Sequence, residues 1–511
     1  MKINLRIAAA VGLSAASPLL YSQISQQRPN IIYIMSDDHA YQAISAYGGP
    51  FKDLAPTPNI DRLAREGMRF NRCLVTNSIS GPCRAVILTG KYSHINGFTR
   101  NEGQAPFDGS QQTFPKLLQA AGYNCAIIGK WHLGSDPTGF NHWDVLPDQG
   151  NYYNPDFIND KGKNIEKGYV TEIITKKCIK WLNEAKNTGN PFLLMMHHKA
   201  PHRDWQPGPN ELSLYKNVIF PEPSTLFDDY SNRGTAEKSQ DMTIDKTMRI
   251  EEDNKMYRDK TKFKNTGLDR LDPEQLKAWD EIYDPIIRHF YEANLTGKDL
   301  VRFKYQRYLQ DYFACIAAVD KSVGEVLDFL KENGLEKNTI VIYTSDQGFY
   351  LGEHGWFDKR WMFEESYRTP LIIKWPGVTK PGSVNSNIVS NLDFAETFLE
   401  IGGVSVPSDM QGVSMVPVLK GKTPDNWRKE HYYHYYEYPA SHSVKRHYGI
   451  STEQYKLIHF YNDIDEWELF DLKTDPNEMR NVYNDPAYSA VKSDLQNRLT
   501  QLRIKYKDNS Q

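Results

Sequence analysis

Four short apolar runs in this chain each break off into ionisable residues, and this repeated pattern is its strongest constraint on fold. Ile31-Ile32-Tyr33-Ile34-Met35 stops at Ser36-Asp37-Asp38-His39. Cys125 to Ile128 leads into Gly129-Lys130-Trp131-His132, and Phe192 to Met196 leads into His197-His198-Lys199-Ala200-Pro201-His202. Ile340 to Tyr343 leads into Thr344-Ser345-Asp346-Gln347. Apolar runs without alternation mark strands covered on both faces. Such strands belong to sheets with helices on either side, where sites form at the carboxyl ends of the strands. The four polar ends are therefore predicted to converge.

Helical signals fall between the strands. Thr57 and Pro58 read as an N-cap and first-turn proline, opening a helix through Asn59 to Glu66. From Phe313, apolar residues at Ile316, Val319, Val323, Val326, Leu327 and Leu330 share one helical face, and Gly334 ends it. This alternation predicts an α/β fold with a largely parallel or mixed sheet. The rhythm fails between about residues 206 and 304, a stretch rich in charge, Asp, Asn and Tyr. It reads as an insertion of loops and short helices beside the site, packed down by its tyrosines and Trp279. After about residue 405 come the aromatic run His431 to Tyr438, strand candidates at Tyr455 to Tyr461 and Trp467 to Leu472, and a final helix from about Ala487 to Ile504. These predict a smaller α+β subdomain over 405–511, against a catalytic α/β domain over 28–404.

Charge and cysteine content narrow the function. A net charge of −3 over 511 residues lacks the basic excess of a nucleic-acid binder. Lys2 and Arg6 followed by the apolar stretch Ile7 to Leu20 resemble a signal peptide over residues 1–22, too short to span a membrane comfortably. A periplasmic or secreted location is expected, with no membrane span. Cys73, Cys83, Cys125, Cys178 and Cys315 are odd in number and lack a CxxC pair, which fits neither a disulfide framework nor a zinc site.

The segment Ser80 to Gly90 reads Ser-Gly-Pro-Cys-Arg-Ala-Val-Ile-Leu-Thr-Gly. Pro82 suits a first helical turn and Gly90 a helix end, which puts Ser80 where backbone N–H groups and the dipole favour an anion. A plain serine hydroxyl is a weak nucleophile without a neighbouring base. The segment resembles the type I sulfatase signature, in which Cys or Ser is followed by any residue, Pro, a small residue, Arg, and a Leu-Thr-Gly end. Cys83 stands where Ser or Ala is usual, but Pro and Arg have the right offsets only from Ser80. The resemblance implies an alkaline-phosphatase-like mixed sheet flanked by helices. It also implies that Ser80 is oxidised to formylglycine, whose hydrated aldehyde provides the nucleophile.

The same resemblance implies a calcium site made of Asp37, Asp38, Asp346, Gln347 and the Ser80-derived group. Gln347 stands where Asn is commoner, yet it offers the same amide oxygen, and an all-oxygen cage suits calcium better than magnesium. Arg84 would orient and stabilise the nucleophile. Lys130 and His132, in Gly-Lys-Trp-His-Leu-Gly, would hold a sulfate oxygen and a formylglycine hydroxyl. His202 would protonate the leaving alcohol, and Lys359 would hold sulfate. Lys91 to His94, Tyr350 to Lys359 and Met362 to Pro370 are similar to glucosamine-6-sulfatases, which implies 6-O-sulfated N-acetylglucosamine in glycosaminoglycans or mucin chains as substrate. Asp358, Arg360, His442 and His447 are the candidates for sugar hydroxyls. Serine at the leading position implies a radical-type serine-oxidising maturation enzyme as a transient partner. Two other readings stay open: a phosphoesterase of the same superfamily, with two metals, and a non-catalytic glycan-binding relative.

Overall fold

The computed structural model describes residues 28–509, so the leader expected at residues 1–22 lies outside it. The four runs form the strands Asn30–Ser36, Asn124–Lys130, Phe192–His198 and Thr339–Ser345. They lie side by side and parallel at the centre of an eleven-stranded sheet, in the order Thr339–Ser345, Asn30–Ser36, Phe192–His198, Asn124–Lys130. His142–Leu146 extends the parallel set, and Arg368–Lys374 pairs antiparallel on the other side, so the sheet is mixed. Two apolar clusters cover the sheet. Ile32 and Ile34 point into one, against the helices Val170–Ala185 and Gly297–Glu332. Ile31, Tyr33 and Met35 point into the other, against Phe394–Ile401 and the helix that follows Ser80. Period-2 side-chain alternation with both faces covered produces the unbroken apolar runs.

Register brings the polar ends together. Ser36 lies opposite both His198 and Ser345, and Gly129 lies opposite His197. Asp37, Lys130, Lys199 and Asp346 therefore leave the sheet at nearly one level.

The insertion differs from expectation in two respects. It contains a 21-residue helix, Pro273–Ala293, opened by a capping box between Asp272 and Gln275. Pro285 inside this helix hides it from a propensity reading. Trp279 and Tyr283 stack with ring centroids 4.2 Å apart, and Tyr283 donates to Asp311 at 2.8 Å, so the insertion is packed as predicted. The next helix begins at Gly297, inside the stretch assigned to the insertion.

Beyond the main sheet, Glu430–Tyr435, His447–Thr452, Tyr455–Phe460 and Glu466–Asp471 form a four-stranded antiparallel sheet. Tyr432, Ile450, Leu457 and Leu469 face the final helix, Ser489–Tyr506. Tyr433, Tyr435, Ile458, Phe460 and Phe470 face Trp356, Trp361 and Phe363 of the segment that follows Asp346. The smaller sheet is thus buried on both faces and presses its second face against the loop that carries Lys359. The five cysteines are all buried and unpaired.

Gly129 marks where the fold is least tolerant. Its φ is +106°, and a Cβ there would lie 1.9 Å from the His197 carbonyl oxygen of the neighbouring strand. Gly129→Ala is expected to cost about 3 kcal/mol or more and to lower the thermal midpoint by several degrees. An unchanged calorimetric midpoint would contradict this account of the strand end.

Candidate active site

The helix Ser80–Thr89 begins as predicted and ends at Gly90 in the left-handed conformation, φ 62°. Every residue of it is buried. Ser80 Oγ donates to Asp37 Oδ1 at 3.0 Å, at the end of the first central strand. One turn later, Arg84 reaches past Ser80. Its guanidinium donates to Asp346 Oδ2 at 3.1 Å and to the Lys130 carbonyl at 2.8 Å, and lies 3.8 Å from Asp37 Oδ1. Arg84 therefore acts on Ser80 through the carboxylates that surround it. Cys83 turns away, with its thiol against the Asp346 carbonyl and the Asn391 amide. Burial pushes that thiol far up, so it is no nucleophile.

Asp37, Asp38 and Asp346 have no exposed surface, and the Asp38 N–H donates to Asp346 Oδ1 at 3.1 Å. Burial pushes Asp38 up to about 8; Lys359 opposes that shift, and Asp37 and Asp346 add to it. Burial, then Asp37, raises Asp346 to about 6, against Arg84. Burial acts on Asp37 too, but Lys130, His202 and Arg84 together hold it well below the usual carboxylate range. Lys130 Nζ donates to Asp37 Oδ2, and Lys359 Nζ reaches Asp38 at 2.8 Å.

Gln347 donates its amide to Asp38 Oδ1, and its own Oε1 is buried without a hydrogen-bond partner among the described residues. Three converging carboxylates and an orphaned amide oxygen form the donor set of a hard cation. A divalent ion there would offset the burial that raises Asp38 and Asp346. His202 Nε2 faces the same cluster, 3.8 Å from Asp38 Oδ2. Asp37, Asp38 and His202 offer ligand atoms within 4.8 Å of one another. Burial, then Lys130, holds the His202 imidazole well below its ordinary range, and Asp37 only partly offsets them.

Gln149 is a site residue that the sequence reading missed. Its Oε1 accepts from Lys130 Nζ at 2.6 Å, and its Nε2 donates to His132 Nε2 at 2.9 Å. It follows the fifth parallel strand, His142–Leu146. That strand begins His-Trp-Asp with its first residue exposed, so it shows no apolar run. The usable signal was a further polar strand end, Asp148-Gln149.

Asp358, Arg360 and His442 meet on the far side of Lys359. His442 Nε2 lies 2.9 Å from Asp358 Oδ2, and its Nδ1 lies 2.6 Å from the Asp241 carbonyl. Arg360 lies 3.7 Å from Asp358 and 3.6 Å from Glu437. With both ring nitrogens engaged, His442 orients Asp358 more than it offers a free group. His447 is placed elsewhere. Its ring has no exposed surface, and it packs among Tyr433, Tyr435, Trp361 and Phe460 with one bond to the Lys445 carbonyl. The period-2 pattern of its strand turns it into the interface between the small sheet and the large domain.

Comparison with known proteins agrees with this geometry. The family profile described as Sulfatase matches residues 29–404, and one described as N-sulphoglucosamine sulphohydrolase, C-terminal, matches residues 352–505. The chain is 52% identical over 508 residues to an N-acetylglucosamine-6-O-sulfatase of Bacteroides thetaiotaomicron, covering 97% of this chain and 90% of that one. A solved structure of a protein in complex with its substrate D-glucosamine-2-N,6-O-disulfate superposes with a TM-score of 0.92 at 52% identity, over 95% of this chain and 99% of that one. A phosphonate monoester hydrolase from Silicibacter pomeroyi shares the fold at TM-score 0.69 and 20% identity, over 94% and 96% of the two chains.

Titration with calcium should raise the thermal midpoint and chelation should reverse it, by about 2.7 kcal/mol of added stability at a hundredfold excess over Kd. Gln347→Ala should weaken that binding. A midpoint indifferent to calcium and magnesium would remove the cation from this cluster.

Proposed function

The chain belongs to the sulfatase family, and from that premise we propose that it removes the 6-O-sulfate of N-acetylglucosamine units in glycosaminoglycan or mucin chains, or of the N-sulfated equivalent. The carrying observation is Ser80 at a helix start, bonded to Asp37 inside a ring of buried carboxylates and cations. The substrate assignment is supported by the two matches at 52% identity, a sequence named as an N-acetylglucosamine-6-O-sulfatase and a structure solved with glucosamine-2-N,6-O-disulfate.

Asp37, Asp38, Asp346 and Gln347 Oε1 would hold calcium beside the Ser80-derived group, and the ion would supply fixed positive charge to the nucleophile and a sulfate oxygen. A formylglycine at position 80 would supply, as its hydrate, a reactive hydroxyl and a route for releasing sulfate. Lys130 and Lys359, whose ammonium groups flank the carboxylate cluster on Asp37 and Asp38, hold sulfate oxygens. Arg84 keeps Asp37 and Asp346 charged and aimed inward. His132, held by Gln149, steadies the hydroxyl at position 80. As the bond from sulfur to the sugar oxygen breaks, His202 Nε2 delivers a proton to that oxygen. A bound sulfate ester brings negative charge that offsets the lysine fields opposing protonation of His202. Asp358 and Arg360 line the side where the sugar lies.

Ser80 is only 1% exposed, so an oxidising enzyme must reach it before the chain closes. We assign that step to a radical-type serine-oxidising partner. Secretion to the periplasm or beyond is part of the same proposal and rests on Lys2, Arg6 and the apolar stretch to Leu20. No helix of the described residues is long and apolar enough to cross a membrane.

The test is Ser80→Cys expressed with a cysteine-oxidising enzyme and assayed on N-acetylglucosamine-6-sulfate, other sulfated monosaccharides and a phosphate monoester. Sulfate release from the 6-sulfated glucosamine is expected, and Ser80→Ala should lower kcat by roughly 10³-fold or more. Aldehyde confirmed by mass with no sulfate released, or with preferential phosphate release, would overturn the assignment.

A further inference from the structure

The insertion sends a buried carboxylate toward the catalytic face that none of the steps above uses. Asp253 has no exposed surface, and the Arg249 N–H donates to its Oδ2 at 2.7 Å. It receives Arg203 as a two-pronged fork, with Nε to Oδ1 at 2.6 Å and Nη2 to Oδ2 at 2.8 Å. A planar guanidinium bound through two nitrogens is fixed in orientation as well as position. The same guanidinium lies over the Phe357 ring, 5.0 Å from its centroid, two residues before Lys359.

Arg203 follows His202, and its main chain does the orienting. The Arg203 carbonyl oxygen lies 2.7 Å from His202 Nδ1. A carbonyl only accepts, so Nδ1 carries a proton in this arrangement. The other nitrogen, Nε2, is left facing the carboxylate cluster. The hydrogen bond at one nitrogen thus selects which nitrogen works on the substrate. The turn around His202 is held on its other side by Tyr152, which donates to the His202 carbonyl at 2.5 Å, and by Trp205, which donates to it at 3.2 Å. Arg203 ties this turn to the insertion by a charged fork, and Arg249 of the insertion also lies 3.9 Å from Asp204 of the turn.

We propose that Asp253 is a positioning residue for His202, acting through Arg203 to hold the carbonyl that fixes the imidazole's orientation and proton placement. The proposal rests on the reading of His202 as the proton donor. Asp253 touches no reacting atom in it; the insertion contributes to catalysis by aiming a group that lies outside it.

A double-mutant cycle tests this on the formylglycine-bearing enzyme with N-acetylglucosamine-6-sulfate. Asp253→Asn is expected to lower kcat roughly 10- to 100-fold and to leave KM within about twofold. In a His202→Ala background the same change should lower kcat by less than about twofold, because its target is gone. A full, multiplicative loss in that background would overturn the proposal and leave Asp253 a structural residue. If His202→Ala alone leaves kcat unchanged, the proton-donor reading is what fails, and the proposal falls with it. Should Asp253→Asn not fold, Arg203→Lys keeps the charge, loses the fork, and must show the same non-additivity.

Discussion

Three carboxylates with no exposed surface, held at the ends of neighbouring parallel strands, are the constraint around which the rest of this molecule is arranged. Burying like charges together is costly unless opposite charge comes with them. Arg84, Lys130 and Lys359 supply it, each from a different part of the chain. The register that brings Ser36 level with Ser345 and His198 is what lets so few cations serve all three acids. In the proposed function, an all-oxygen cation site and an anion-binding helix start would be two sides of one electrostatic arrangement.

The remaining parts brace that arrangement. The smaller sheet does so with aromatic mass: Trp356, Trp361 and Phe363, stacked upon one another, lie against Tyr433, Phe460 and Phe470. Aromatic pairs of this kind contribute about 0.5–1.5 kcal/mol each beyond their buried area. The loop bearing Asp358, Lys359 and Arg360 is thereby clamped between two bodies. The insertion braces the same loop and the turn at His202, through the Asp241 carbonyl on His442 and the Asp253 carboxylate on Arg203. Under the proposed function, sugar recognition and proton delivery would then depend on regions that carry none of the signature residues.

Family membership and geometry bear on different parts of the function. The fold is shared with a phosphonate monoester hydrolase at 20% identity, so the sheet alone does not name a reaction. Ser80 against Asp37, with Lys130 and Lys359 on the flanking acids, is the arrangement suited to a sulfate ester. Under the proposed function, the group formed by Asp358, Arg360 and Glu437 would be where one sulfated sugar is told from another.

The amino-acid order alone determined the central strands, the start and end of the Ser80 helix, the convergence of Asp37, Lys130, His202 and Asp346, and the small terminal subdomain. Those features rest on local rules: apolar runs for doubly covered strands, proline and glycine for helix limits, strand ends for sites. The long helix over Pro273–Ala293 was hidden by its internal proline, and Gln149 by a strand with an exposed, polar start. The sequence showed a histidine at 447 beside other pocket candidates, and only the pairing of its strand turned that ring inward. The fork from Asp253 to Arg203 spans fifty residues and has no local signature. Contacts between distant segments depend on register and packing, and neither is written in the spacing of residues along the chain.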